Sequence, residues 1–140
     1  MIYRVDRYDI RGRELLSTGF KYYTADLGLR NYLLGRDAVK DIGQLVENAV
    51  YLELLRRRYA VKVGKYNNLE VDFVASNSNN TECFQISTDV SRENTMEREL
   101  APLQSIKDNY PKYLLSLSEL VARDADGIVI GNLIDWLLED

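Results

Sequence analysis

Hydrophobic positions recur at two spacings along this chain, and the switch between them divides it into elements. Ile42, Leu45, Val46, Ala49 and Val50 stand at i, i+3, i+4, i+7 and i+8, the stripe of a helix with one face on a core. Asp41 stands where an N-cap belongs, so the spacing predicts a helix from there to about Arg58. After it the period falls to two. Val61 and Val63 alternate with Lys62 in a strand over 60–64. A second strand over 69–75 carries Leu69, Val71 and Phe73 on one face and Glu70, Asp72 and Val74 on the other, so Asp72 is expected to project away from the Phe73 face. The tract SNSNN at 76–80 suits a hairpin loop, because Asn and Ser side chains bond nearby backbone. The returning strand, 82–88, puts Phe84 and Ile86 on the apolar face and Cys83, Gln85 and Ser87 on the other.

The flanking regions are read the same way. Residues 2–10 form an extended segment, Arg11-Gly12-Arg13 a turn, and residues 20–24 a short aromatic-rich strand. Residues 27–34 predict a short helix stopped at Gly35. Beyond Val90, Met96, Leu100, Leu103 and Ile106 mark a long helical pattern that ends before Tyr110-Pro111, and Pro102 should kink it or start a second helix. Strands over 112–117 and 127–130 and a terminal helix over 133–138 complete the chain. Helix, three strands, helix, strand, strand, helix is the order of a mixed α/β domain with helices packed on one central sheet. No linker or internal repeat interrupts it, so residues 1–140 read as a single domain.

Composition narrows the chemistry. A chain of 140 residues with 46% hydrophobic and 29% charged content can bury its own core. No apolar run is long enough for a membrane span and the N-terminus MIYRVDRYDI lacks a signal-peptide core, so the expected location is cytoplasmic, with no membrane partner. A single cysteine, Cys83, offers neither an internal disulfide nor a thiolate metal cluster. The complete absence of histidine removes His-based triads, HExxH metal sites and the imidazole general base together. The net charge of −4 argues against tight nucleic-acid binding by the whole surface, but it is unevenly spread. Residues 1–65 hold 13 Lys and Arg against 8 Asp and Glu, whereas residues 66–140 hold 5 against 14. A basic strip on an acidic domain is compatible with that asymmetry.

The candidate chemistry lies in LEVDFVASNSNNTECFQIST, residues 69–88. An acid on one strand facing a polar triplet on the next is the skeleton of a divalent-metal nuclease site. Here the triplet is Gln85-Ile86-Ser87, where such a site needs a carboxylate, any residue and a lysine. Asp72 also reads as a solvated acid on a half-buried strand. The run Arg56-Arg57-Arg58 could track a phosphate backbone together with Lys62 and Lys65, or could simply complement the negative end of its helix.

Five segments carry a resemblance in order over nearly the whole chain: RYDIRGR at 7–13, KYYTADLGLRN at 21–31, ENAVYLEL at 47–54, EVDFV at 70–74 and IKDNYPKY at 106–113. They resemble the uncharacterised C-terminal domain that follows a P-loop ATPase module in many bacterial and archaeal AAA-type proteins. That domain is similar to the PD-(D/E)XK restriction-endonuclease fold. The resemblance implies a P-loop ATPase module as partner, in cis or in trans, with DNA and a second copy of the chain as further partners to test. Nothing here fits GxxxxGK[ST], and Gly64-Lys65 lies between predicted strands, so this chain carries no ATP site.

Carried over residue by residue, the resemblance implies a catalytic set of Glu47, Asp72, Gln85 and Ser87, with Asp72 and Gln85 as ligands to Mg²⁺. In an active enzyme the metal activates a water and the lysine stabilises charge developing on the phosphate. Gln85 offers only a neutral carbonyl oxygen and Ser87 no cation, so weak Mg²⁺ binding and a degenerate nuclease are expected, with Lys62 or Lys65 as candidate substitutes for the lysine. The resulting expectation is an accessory domain acting by nucleic-acid binding or by contacting its ATPase module. A weak Mg²⁺-dependent DNA endonuclease and a protein-interaction or oligomerisation domain are the alternatives.

Overall fold

The computed structural model describes residues 1–26, 28, 42–118 and 123–139. Eight strands form one mixed sheet: β1 (Ile2–Asp9), β2 (Glu14–Thr24), β3 (Ala60–Tyr66), β4 (Leu69–Ser76), β5 (Thr81–Ser87), β6 (Lys112–Ser116), β7 (Arg123–Ala125) and β8 (Ile128–Asn132). Their spatial order is β2-β1-β3-β4-β5-β6-β8-β7. The helices among the described residues are α1 (Ile42–Arg56), α2 (Glu93–Ser105) and α3 (Leu133–Leu138). The mixed α/β class expected from the period pattern is therefore what the chain adopts. No helix among the described residues is long and apolar enough to cross a membrane.

The β3-β4-β5 meander is antiparallel, as short turns allow, and β5 then pairs with β6 in parallel after the α2 crossover. Two apolar clusters follow, one on each sheet face. Val50, Tyr51 and Leu54 of α1 and Leu133 and Trp136 of α3 pack with Val61, Val63, Phe73, Phe84 and Ile86. On the other face Met96, Leu100 and Leu103 of α2 pack with Val71, Val74, Cys83 and Leu114.

Several expectations are corrected. The aromatic strand begins at Glu14 rather than at residue 20, because the turn at residues 10–13, with Arg13 at φ 54°, joins it directly to β1 as a hairpin. The buried face of α1 is turned from the expected stripe: Asn48, Val50, Tyr51 and Leu54 are buried, while Ile42 is exposed. Tyr51 stacks on Tyr23 with ring centroids 4.6 Å apart, so an aromatic contact and not the aliphatic stripe sets the helix rotation. Pro102 neither breaks α2 nor starts a second helix; it falls in the last turn, and the helix ends three residues later at Ser105. The three-residue strand β7 has no apolar alternation and was not expected. Apart from residue 28, the helix expected over 27–34 lies outside the described residues, as does the Asp41 cap.

Gly64 lies inside β3, not between strands. An added Cβ there would stand 2.8 Å from Val74 Cγ2 and 3.0 Å from Val71 Cβ, so the glycine allows β4 to pass close. Beside it the ladder slips. Lys62 pairs with Val74 and Gly64 with Val71, which leaves Val63 opposite both Asp72 and Phe73. That is a β-bulge.

Candidate functional site

The bulge overturns the expected alternation of β4. Val71 and Val74 both pack into the α2-side cluster, whereas Phe73 and Ala75 pack into the α1-side cluster. The extra residue of the bulge is what lets Asp72 leave the strict alternation. Asp72 is brought toward α1 beside Phe73 rather than projecting away from it. It meets β5 where the ladder stops, since the regular β4-β5 pairing runs only from Phe73 and Phe84 outward.

Side chains replace the ladder at that fork. The Ile86 N–H donates to Asp72 Oδ2 at 2.9 Å, and the Asp72 N–H donates to Gln85 Oε1 at 3.1 Å. Gln85 Nε2 in turn donates to Glu99 Oε2 on α2 at 3.2 Å. Gln85 thus reaches the α2 side while Asp72 reaches the α1 side, and the two meet edge-on instead of sharing one flat face. Both border an open cleft of about 470 Å³ that Glu47, Ser87, Arg98 and Glu99 also line.

Glu47 is placed by its neighbour in sequence. Asn48 is buried and clamps the end of β2, accepting from the Thr24 N–H at 3.0 Å and donating to the Thr24 carbonyl at 2.9 Å. Glu47 Oε1 then accepts from the Tyr23 hydroxyl and from Lys21 Nζ at 3.3 Å. Lys21 Nζ also lies 2.6 Å from Glu70 Oε1, and Glu70 Oε2 accepts from Arg7 at 2.8 Å. A smaller pocket of about 300 Å³, lined by Lys21, Tyr22 and Tyr23, shares Gln44 and Glu47 with the main cleft.

Electrostatics follow from this crowding of acids. Burial pushes Asp72 up to about 7; Glu47 and Glu99 add to the rise, while the Ile86 N–H and Lys21 oppose it. Burial alone would lower Lys21, but Glu47 and Glu70 outweigh it, and the ammonium is held above its ordinary value. Burial and the adjacent Glu47 carboxylate push the Tyr23 phenol far above the usual range.

The residues expected from sequence fall into three groups. Glu47, Asp72, Gln85 and Ser87 do come to one cleft. Ser87 Oγ, however, donates to the Asp89 carbonyl at 3.3 Å, a local turn contact. Lys62 lines a different cleft with Tyr8, Val74 and Tyr110, which belong to the α2-side cluster, so it does not stand in for the missing lysine. Lys65 pairs in register with Glu70 on β4. Arg56, Arg57 and Arg58 sit at the far end of α1 from Glu47, roughly 15 Å along the axis at 1.5 Å per residue. Arg56 and Arg57 both bind Glu53, and Arg57 also donates to the Trp136 carbonyl at 2.7 Å and lies over the Trp136 ring. These contacts engage Arg56 and Arg57 within the fold.

Lys21, Tyr23 and Glu99 were not expected at the site. The period-two spacing of Lys21 and Tyr23 is visible in sequence, but nothing local says which helix that strand faces. Glu99 follows Met96 by three residues on α2, and only the β4-β5 fork brings it to Gln85.

Glu47, Asp72 and Gln85 already accept hydrogen bonds from the protein, and the Lys21 ammonium stands beside Glu47. Among the described residues no group of three or more Asp, Glu, Cys or His side chains is placed to hold a metal ion.

No family model matches the chain, and no solved structure does. A curated protein of Haemophilus influenzae, described only as an uncharacterized protein, is 38% identical over 139 residues. The alignment covers 99% of this chain but 34% of that relative. The chain spans about a third of the length of the curated relative it matches.

Proposed function

We propose that this chain is a nuclease-like accessory domain, catalytically degenerate, that acts by contacting another module of a longer protein, with a P-loop ATPase module as the partner implied by the resemblance. One observation carries the reading: each of the four template side chains is engaged within the protein. Glu47 takes Tyr23 and Lys21, Asp72 takes the Ile86 N–H, Gln85 bridges Asp72 and Glu99, and Ser87 turns to Asp89. Mg²⁺ affinity is accordingly weak.

The cleft is dominated by carboxylates, and the arginines that would follow a phosphate backbone are at the far end of α1, two of them bound to Glu53. Contact with a protein module is therefore favoured over DNA binding. The relative is about three times as long as the matched segment, which leaves room in that protein for a further module.

The test is direct. Purified protein with Mg²⁺ or Mn²⁺ should leave single- and double-stranded DNA and RNA intact, and should associate in sedimentation experiments with the separately expressed remainder of the Haemophilus relative. Cleavage that disappears in Asp72→Ala would overturn the degenerate reading. A metal-dependent phosphodiesterase using Glu47, Asp72 and Gln85 is the second reading, favoured by the presence of all three in the lining of one cleft.

A further inference from the structure

An acidic site that has lost its metal must dispose of its negative charge in some other way. Glu47 and Glu70 approach the same point from α1 and β4, and each carries a formal negative charge in a half-buried setting. Like charges so placed repel strongly where solvent screening is reduced. Lys21 Nζ stands between them, 3.3 Å from Glu47 Oε1 and 2.6 Å from Glu70 Oε1, and is close enough to Asp72 to favour its ionised form. Its side chain is only 31% exposed, so the ammonium is built into the cluster and does not reach it from the surface.

We infer that Lys21 is a resident counter-ion, an ammonium supplied by β2 that does the electrostatic work of a divalent cation and makes the folded domain independent of metal. The inference rests on the reading of the cleft as a degenerate metal-nuclease site and says what replaced the metal. The remaining contacts support a fixed position for the ammonium. Arg7 holds Glu70 from its other oxygen, and the Tyr23 hydroxyl holds Glu47. Gly19, at φ 82°, leaves room for the Arg7 guanidinium, since a Cβ there would stand 2.8 Å from Arg7 Nε. The network is organised around Lys21, with one acid on each side.

Removing the ammonium should uncover the acids and create a metal response that the native chain lacks. The experiment compares thermal unfolding of the wild type, Lys21→Met, Lys21→Gln and Lys21→Arg, each with and without 10 mM MgCl₂ or CaCl₂ at matched ionic strength. Wild type and Lys21→Arg should melt at the same temperature in all conditions. The two neutral variants should gain roughly 5 °C from either cation, the shift expected for a site of about millimolar affinity in a domain of this size. Neutral variants that show no cation effect, or that stay unfolded in 10 mM metal while Lys21→Arg folds, overturn the inference. A wild-type response that is lost in Asp72→Asn overturns the degenerate reading instead, and the two failures are thereby told apart.

Discussion

Two charged regions of this domain use the same residue types to opposite effect. At the far end of α1, one acid meets two guanidinium groups: Glu53 accepts from Arg56 and Arg57, and those bonds hold its carboxyl down to about 2 against a small opposing effect of burial. In the cleft one acid meets others, and Asp72 is driven up to about 7 by burial and by Glu47. The first region is arranged for stability. The second retains an electrostatic cost that the fold tolerates, the pattern of a site shaped by something other than stability.

The largest expected effect is at the costly region. Asp72→Asn keeps an oxygen for the Ile86 N–H but removes the charge that burial and Glu47 disfavour. At pH 8 it should stabilise the domain by about 4 kcal/mol, of the order that a shift of this size implies. Calorimetry or urea unfolding would measure it. A lower melting temperature would mean that Asp72 is satisfied in ways the cleft geometry does not contain, and the comparison would fail.

The stabilised region should respond in the opposite direction. Arg57 ties Glu53 to the backbone of α3 through the Trp136 and Glu139 carbonyls, and its guanidinium lies 4.3 Å from the Trp136 ring centroid. Arg57→Ala should cost about 2 kcal/mol, summing a charge-assisted bond and a cation–π contact. Arg57→Lys should recover less than half, because an ammonium has no planar fork to bond and stack at once. Denaturant unfolding followed by Trp136 fluorescence separates these outcomes, and an unchanged Arg57→Ala would remove the contrast between the regions.

The pH dependence sharpens the contrast with two windows. Asp72 has a folded value above its unfolded one, so between about pH 4 and 7 the native state holds a proton that the unfolded state has released. Through this group stability falls as pH rises across that window, by about 1 kcal/mol between pH 6 and 7. Glu53 has the reverse sign. Its contribution is complete above the ordinary glutamate range and is lost as pH falls toward about 2. The difference between wild type and Asp72→Asn across pH 5 to 8 isolates the first window, and a flat difference curve would contradict it.

How far the sequence revealed these regions depends on the range of the contacts. Short-range periodicity located α1, the β3-β4-β5 meander, α2 and the 77–80 loop, where Asn77 Oδ1 does accept from the Asn79 and Asn80 N–H groups. The same alternation misplaced Asp72, because a bulge opposite Val63 is a property of two strands together and leaves no mark in one. Glu47, Asp72 and Gln85 were legible as a set only through the ordered resemblance. Lys21 and Glu99 were not, since each reaches the cleft from a part of the chain whose position the sheet order decides.

The smallest effect concerns Arg58, which belongs to the run of arginines but not to the Glu53 pair. The Tyr59 N–H bonds the Leu54 carbonyl at 3.0 Å and the Arg58 N–H bonds the Leu55 carbonyl at 2.9 Å, closing α1 in a Schellman motif with Arg58 at the left-handed position, φ 66°. That position favours glycine, because a Cβ is crowded there. Arg58→Gly should therefore stabilise the domain by about 0.5 to 1 kcal/mol, a rise of roughly 2 °C. If Arg58 instead serves to hold a phosphate backbone, the same substitution should weaken DNA binding at low salt. A stability gain with unchanged DNA binding across a salt series keeps Arg58 in a backbone role, while a measurable loss of binding would return this end of α1 to the nucleic-acid reading.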